Sequence, residues 1–221
     1  MKGIVFSFSR PTPRKPAGNY RLPDFRALFR RWGVTALFVA LLLAGLALGA
    51  VYAGSADGGL LQSLDFLFTT NLEARLQKGA PGIFCACFAS DFIFLTAVYL
   101  LGMAPWGLPF GLFTVLFKGF GTGLTAAYLL MLNGLSGLGF YLLVLLPGTF
   151  LFCVALTAFS ASAFDFSRQQ FLLVIDKDPP AVSARERTMR YSSRYLSALL
   201  MTFFASLLDT VLWTLFAGSF Q

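Results

Sequence analysis

The chain has 221 residues, of which 57% are hydrophobic and only 12% charged, about half the charged fraction of an ordinary soluble domain. This composition excludes a water-soluble globular domain as the main part of the protein and indicates a chain that lies mostly in a membrane. There is no His, and the three Cys do not have the spacing of a metal or redox site, so the sequence predicts no catalytic, cofactor-binding or metal site.

A basic tail and five long apolar segments follow one another in chain order. Residues 1–31 are polar, basic and interrupted by Pro, which predicts a cytoplasmic tail. The apolar segments are each long enough to cross the hydrocarbon core of a bilayer as a helix. Their approximate bounds are 32–53, 82–103, 108–132, 138–158 and 196–217. The predicted fold is therefore all-α, a polytopic integral membrane helical bundle of five transmembrane helices within a membrane domain at 32–217.

The distribution of basic residues predicts the orientation of the spans. Fourteen of the 17 Lys and Arg lie in the tail or between spans four and five, and only Arg75 and Lys78 lie in the loop after span one. Basic residues concentrate on the cytoplasmic side of membrane proteins, so we expect the N-terminus in the cytoplasm and the C-terminus outside. The topology then accounts for the net charge of +7. We therefore expect membrane lipid as a partner and no nucleic acid.

The segment from Gly54 to Pro81 has apolar residues at helical spacing with polar residues between them. This pattern predicts an amphipathic helix at the outer interface of the membrane. Such a helix is either a connector that rests on lipid or a docking site for an extracytoplasmic partner. In a docking site, the polar face with Asp65, Glu73 and Arg75 would make the contact.

Three ionisable side chains, Asp91, Lys118 and Asp209, lie inside the predicted spans. Charged residues in the hydrocarbon region normally face protein or water and have partners. Because spans two and three run in opposite directions, Asp91 and Lys118 fall at a similar depth and are expected to form an ion pair. The pair either holds helices together or belongs to a proton or ion relay. Asp209 is expected nearer the outer face, beside Asn133 at the end of span three.

Small residues repeat every four positions in three of the spans. Faces of small residues let membrane helices approach closely, either within one chain or through self-association of two copies. The repeats are Gly45 and Gly49; Gly119, Gly123 and Ala127; and Ala198, Thr202, Ser206, Thr210 and Thr214.

The stretch from Leu112 to Leu138, followed by Pro147 in the next span, resembles the stage II sporulation protein M family. The resemblance is carried by a basic-Gly-Phe-x-x-Gly core, an Asn-Gly-x-x-Gly turn and the Pro of the following span. These residues are Lys118, Gly119, Phe120, Gly123, Asn133, Gly134, Gly137 and Pro147. The five predicted spans and the basic N-terminal tail are also similar to this family.

The resemblance implies a non-enzymatic scaffold in the cytoplasmic membrane of endospore-forming bacteria, where it belongs to the engulfment machinery. It implies that the protein anchors two extracytoplasmic peptidoglycan-degrading partners, stage II sporulation proteins D and P. Their cleavage of the cell wall lets the mother-cell membrane migrate around the forespore. The alternative is a membrane permease or transporter subunit, in which Asp91, Lys118 and the glycine-rich third span line a pathway.

Overall fold

The computed structural model describes residues 25–55, 79–175 and 183–216, and the regular structure in these ranges is entirely helical. The elements are α1 (Phe25–Ala53), α2 (Ala80–Met103), α3 (Leu108–Phe140), a π-helical turn (Tyr141–Leu145), α4 (Leu146–Ile175) and α5 (Ala184–Phe216). The all-α class expected from the sequence is confirmed. The basic tail before Phe25 and the predicted outer helix, with Asp65, Glu73 and Arg75, lie outside the described residues.

Four continuous helical stretches are long and apolar enough to cross a membrane, so the chain is a multi-pass membrane protein. They are 33–53, 80–103, 109–175 and 184–216. The third stretch has 67 residues and is interrupted at Gly134. Lys118 before the interruption contacts the ring of Phe152 after it, so the stretch is a hairpin of two antiparallel arms. Counting the arms separately gives five crossings, which is the number that the sequence predicts.

The reversal at Gly134 depends on the backbone freedom of glycine. Its φ is 59° and its ψ is −138°, a combination that residues with a Cβ rarely adopt. No atom lies within 4 Å of the point where a Cβ would stand, so conformation rather than space selects glycine here. The gap between predicted spans three and four is therefore a break at one residue and not a loop.

Two helices extend beyond the apolar segments that predicted them. The second hairpin arm continues to Ile175, where the sequence predicts a span ending near residue 158, and α5 begins at Ala184 rather than near residue 196. A helix satisfies its own backbone hydrogen bonds, so it need not end where the apolar residues end. Ser183 caps the start of α5, because its Oγ accepts a hydrogen bond from the backbone N–H of Glu186 at 3.3 Å.

Four glycines bring α1 and α3 into close contact. Gly45 and Gly49 of α1 lie against backbone carbonyls of α3, and Gly119 and Gly123 lie against backbone carbonyls of α1. A Cβ at any of these positions would come within 3.0 Å of the facing oxygen, which real structures do not allow. This small-residue repeat therefore serves helix packing within one chain.

The small face of α5 is also covered within the chain. Its residues from Ala198 to Thr210 are buried at four-residue intervals, whereas Thr214 is exposed. The hydroxyls of Thr202, Ser206 and Thr210 each donate to a carbonyl one turn earlier in α5, at 2.8 to 3.0 Å. These hydrogen bonds satisfy the hydroxyls locally, so the face packs closely on α2 and α4 without requiring bonds between helices.

The hydrophobic core forms two groups at different levels of the bundle. One contains Phe94, Phe152 and Phe159. The other contains Ile83, Leu129, Val144 and Trp213. Along α2, α3, α4 and α5 alike, the residues between these groups include polar side chains. The core therefore encloses a polar layer between two apolar layers.

Candidate functional site

An ion pair lies at the centre of the polar layer. Lys118 Nζ on α3 donates a hydrogen bond to Asp91 Oδ1 on α2 at 2.8 Å. The two side chains are only 7% and 15% exposed, respectively. This is the contact that the matched depth of the two residues predicts. A pair with so little access to water is costly to break, because the remaining charge would be buried without compensation.

Two aromatic rings complete the surroundings of the ammonium group. Lys118 Nζ lies 4.9 Å from the ring centroid of Phe94 on α2 and 4.9 Å from that of Phe152 on α4. Both distances are within the range in which a cation is attracted to an aromatic face. The lysine side chain therefore links three helices through one carboxylate and two rings.

Asp209 contributes a second buried carboxylate from α5, with the residue only 6% exposed. Its Oδ2 accepts a hydrogen bond from the Cys87 thiol on α2 at 3.0 Å. Gly148 of α4 lies directly beside it, since a Cβ there would stand 2.8 Å from the Asp209 Cβ. Cys87 therefore donates a hydrogen bond to a carboxylate in the polar layer.

The predicted contact between Asp209 and Asn133 is wrong. Asn133 is exposed beside the hairpin reversal at Gly134, whereas Asp209 packs against Gly148. Gly148 lies fourteen residues beyond Gly134, which corresponds to about 21 Å along a helix. Asp209 thus lies deep in the bundle, at the level of the polar layer.

A small cavity of about 40 Å³ lies within the polar layer. A buried water requires about 10 to 15 Å³ of such volume and two to four polar partners, so the cavity has room for two or three waters. Carboxylates, an ammonium group and hydroxyls line it together with small residues. The lining residues are Cys87, Asp91, Lys118, Gly121, Thr122, Thr125, Tyr141, Leu145, Gly148, Thr149, Ala205, Ser206 and Asp209.

The π-helical turn places Tyr141 at this cavity. The wide turn ends where the N–H of Leu146 bonds to the carbonyl of Tyr141, immediately before Pro147. Proline has no N–H and its ring clashes with the carbonyl four residues earlier, and a wider turn relieves both problems. Tyr141 is buried and lines the cavity together with Thr149, whose hydroxyl donates a hydrogen bond to the carbonyl of Leu145 at 2.8 Å. Pro147 thus accompanies a distortion of the helix that places the Tyr141 side chain in the polar layer.

The geometry of the polar layer favours helix positioning and water binding. Residues of different helices are joined by its ion pair, by the hydrogen bond from the thiol to the carboxylate, and by the contacts of the ammonium group with the rings. In the ranges that the structure describes, no three His, Cys, Asp or Glu side chains are grouped so as to hold a metal ion. With one cation and two carboxylates, the layer carries more acidic than basic groups.

The sequence contained a signal for the residues that reasoning from charges alone missed. Polar side chains recur at helical spacing on the same face as the three ionisable residues. The pairs are Cys87 with Asp91, Lys118 with Thr122, and Ser206 with Asp209. Tyr141 has no such signal, because its position depends on the π-helical turn.

The remaining motif residues have structural positions in the hairpin. Phe120 packs against Tyr52 of α1, with ring centroids 5.6 Å apart. Gly137 lies against the carbonyl of Leu129 across the reversal, where a Cβ would come within 3.0 Å of the oxygen. The motif therefore contains contacts with α1, the hairpin reversal and the distorted start of α4.

Comparison with known proteins identifies one family. The family model described as stage II sporulation protein M matches residues 36–214. The matched range includes the glycine contacts, the hairpin and every residue that lines the cavity of the polar layer. No curated protein and no solved structure matches the chain significantly.

Proposed function

Since the chain belongs to the stage II sporulation protein M family, we propose that it is a non-enzymatic membrane scaffold. In this proposal it anchors extracytoplasmic peptidoglycan-degrading partners during engulfment in endospore formation. The observation that carries the proposal is the family match over residues 36–214. Family membership already makes the chain a sporulation-related membrane protein, and the proposal adds its role and partners.

The internal contacts of the bundle support a scaffold. The ionisable groups of the polar layer bind one another and neighbouring rings, and the hydroxyls of α5 bind carbonyls of their own helix. These contacts hold the helices in fixed register, which a scaffold requires of its membrane part. The cavity of about 40 Å³ has room for two or three waters, so it gives the alternative of a solute permease no specific support.

The connection between α1 and α2 is the segment where we place the partner contact. It covers residues 54–79, whereas α2 and α3 are joined by residues 104–107 alone. With the N-terminus in the cytoplasm, as the basic residues predict, the longer connection lies outside the cell. Its charged side chains Asp65, Glu73 and Arg75 are the proposed docking residues for stage II sporulation proteins D and P.

The test is copurification of the tagged full-length chain from membranes of sporulating cells. Combined reversal of charge in D65K, E73K and R75E should lower recovery of peptidoglycan hydrolases about tenfold or more, as expected for loss of an interface hot spot. Insertion and protein level should stay normal. The matched control is D57K with K78E, which changes charges near the ends of the same segment and should leave recovery unchanged. Normal hydrolase recovery from the triple variant would refute docking at these residues, and an ATPase or a bound solute in the wild-type eluate would favour a permease.

A further inference from the structure

A basic groove lies between the C-terminal part of α4 and the start of α5, away from the polar layer. Its volume is about 270 Å³. Arg187, Arg190 and Arg194 approach it from α5, where their spacing of three and four residues places them on one helix face. The other lining residues are Ser162, Asp165, Phe166, Gln169 and Tyr191.

The three guanidinium groups differ in how fully the protein satisfies them. Arg194 Nη1 donates to Ser162 Oγ at 3.2 Å, and Arg190 forms an exposed ion pair with Glu186. The buried Nε of Arg187 has no hydrogen-bond partner among the described residues. A buried cationic donor in this state is costly unless an acceptor binds it. Asp165 is the one carboxylate among the described lining residues, so positive charge predominates in the groove.

Aromatic side chains and the charge pattern indicate that the groove lies at the membrane boundary. Trp106, in the connection between α2 and α3, is 76% exposed and packs edge-on against Phe171 of α4, with ring centroids 5.9 Å apart. Tryptophan and tyrosine concentrate at the level of lipid headgroups. Beyond Arg194, α5 presents exposed apolar side chains that begin with Leu196 and Leu200. The charged groove is thus followed by an apolar surface along the same helix, as expected where a helix enters the membrane.

We propose that this groove binds the phosphate of an anionic phospholipid headgroup. Guanidinium groups match phosphate oxygens in charge and in geometry, because each can donate two parallel hydrogen bonds. Basic pockets between membrane helices on the cytoplasmic side are suited to such headgroups. The volume of about 270 Å³ is close to the lower limit of small-molecule sites, about 300 Å³. It accommodates a phosphate with its glycerol, while the acyl chains would lie along the apolar part of α5.

The test measures binding of tail-labelled phosphatidylglycerol to the purified full-length protein in a neutral detergent, with tail-labelled phosphatidylcholine as the neutral probe. Double substitution R187Q with R194Q should raise the Kd for phosphatidylglycerol about tenfold or more, because it removes two charged donors from the site. The matched control is R168Q with R185Q. It removes the same charge from exposed positions outside the groove and should change the Kd less than about twofold.

A third variant tests the groove without removing any arginine. Replacing Asp165 by Asn removes the lining carboxylate and should lower the Kd for phosphatidylglycerol several-fold. The Kd of D165N tests binding in the groove even if the double arginine variant does not elute from size exclusion as the wild type does. An unchanged Kd in D165N would overturn the proposal. Equal losses of affinity in the R187Q with R194Q variant and in its R168Q with R185Q control would also overturn it. Competition by inorganic phosphate or glycerol 3-phosphate as strong as that by unlabelled phosphatidylglycerol would also overturn it, since the site would then take the free anion.

Discussion

Removing one member of the Asp91–Lys118 pair should destabilise the bundle more than removing both. Breaking a buried ion pair costs about 3 to 5 kcal/mol. Lys118→Met should lie at the upper end, because it leaves Asp91 and Asp209 at one cavity without the cation and removes the contacts with two rings. Asp91→Asn should lie at the lower end, because the ammonium group keeps both rings. The double variant should cost less than either single change, since neither charge is left unpaired.

The measurement is the midpoint of unfolding in detergent for four proteins: the wild type, the two single variants and the double variant. The exposed pair formed by Arg190 and Glu186 is the control, with side chains 72% and 52% exposed. Glu186→Gln should lower stability by no more than about 0.5 kcal/mol, as is usual for an exposed pair one helical turn apart. If the double variant lost as much stability as the sum of the two single variants, Asp91 and Lys118 would be energetically independent, and the reasoning from burial would be refuted.

Three further predictions concern packing, backbone conformation and topology. Gly49→Ala should lower the midpoint of thermal unfolding, because its Cβ would meet the backbone of α3, whereas Gly139→Ala, with no atom within 4 Å of its Cβ, should not. Gly134→Ala should cost about 1 to 3 kcal/mol from backbone strain alone, and a loss no larger than that of Gly139→Ala would contradict the role given to its φ. A reporter active only outside the cytoplasm should give a signal when fused at Gln221 and none at Asp178, and reversed signals would refute the predicted orientation.

The ion pair could be predicted from the sequence because two rules restrict it strongly. A charge inside an apolar segment needs a partner, and the alternating direction of the spans places Asp91 and Lys118 at one depth. The expected contact of Asp209 with Asn133 was wrong because the order and direction of the spans do not show which side chains face each other. Asp209 lies against Gly148 and Cys87, whereas Asn133 is exposed beside the reversal at Gly134.

The local distortions could not be predicted in the same way. A Gly within a polar interval between two apolar segments fits a loop as well as a single-residue reversal, so the sequence alone leaves the hairpin at Gly134 open. The π-helical turn depends on how Pro147 is accommodated next to packed neighbours, which no local periodicity expresses. The hydrogen bond of Cys87 could not be predicted for a related reason, since a thiol acts as a donor only when packing brings an acceptor to it.

The order of the helices along the chain has a consequence for biogenesis. Synthesis proceeds from the N-terminus, so α2 with Asp91 is made before the hairpin arm that carries Lys118. The lysine can therefore meet a carboxylate already present as its own helix enters the bilayer, and the pair enters the nascent bundle as a neutral unit. Asp209 is made last, on α5, and finds the Cys87 thiol of α2 in place. A nascent chain that stops before α5 would thus contain the complete ion pair, and the second carboxylate would join only at the final step of assembly.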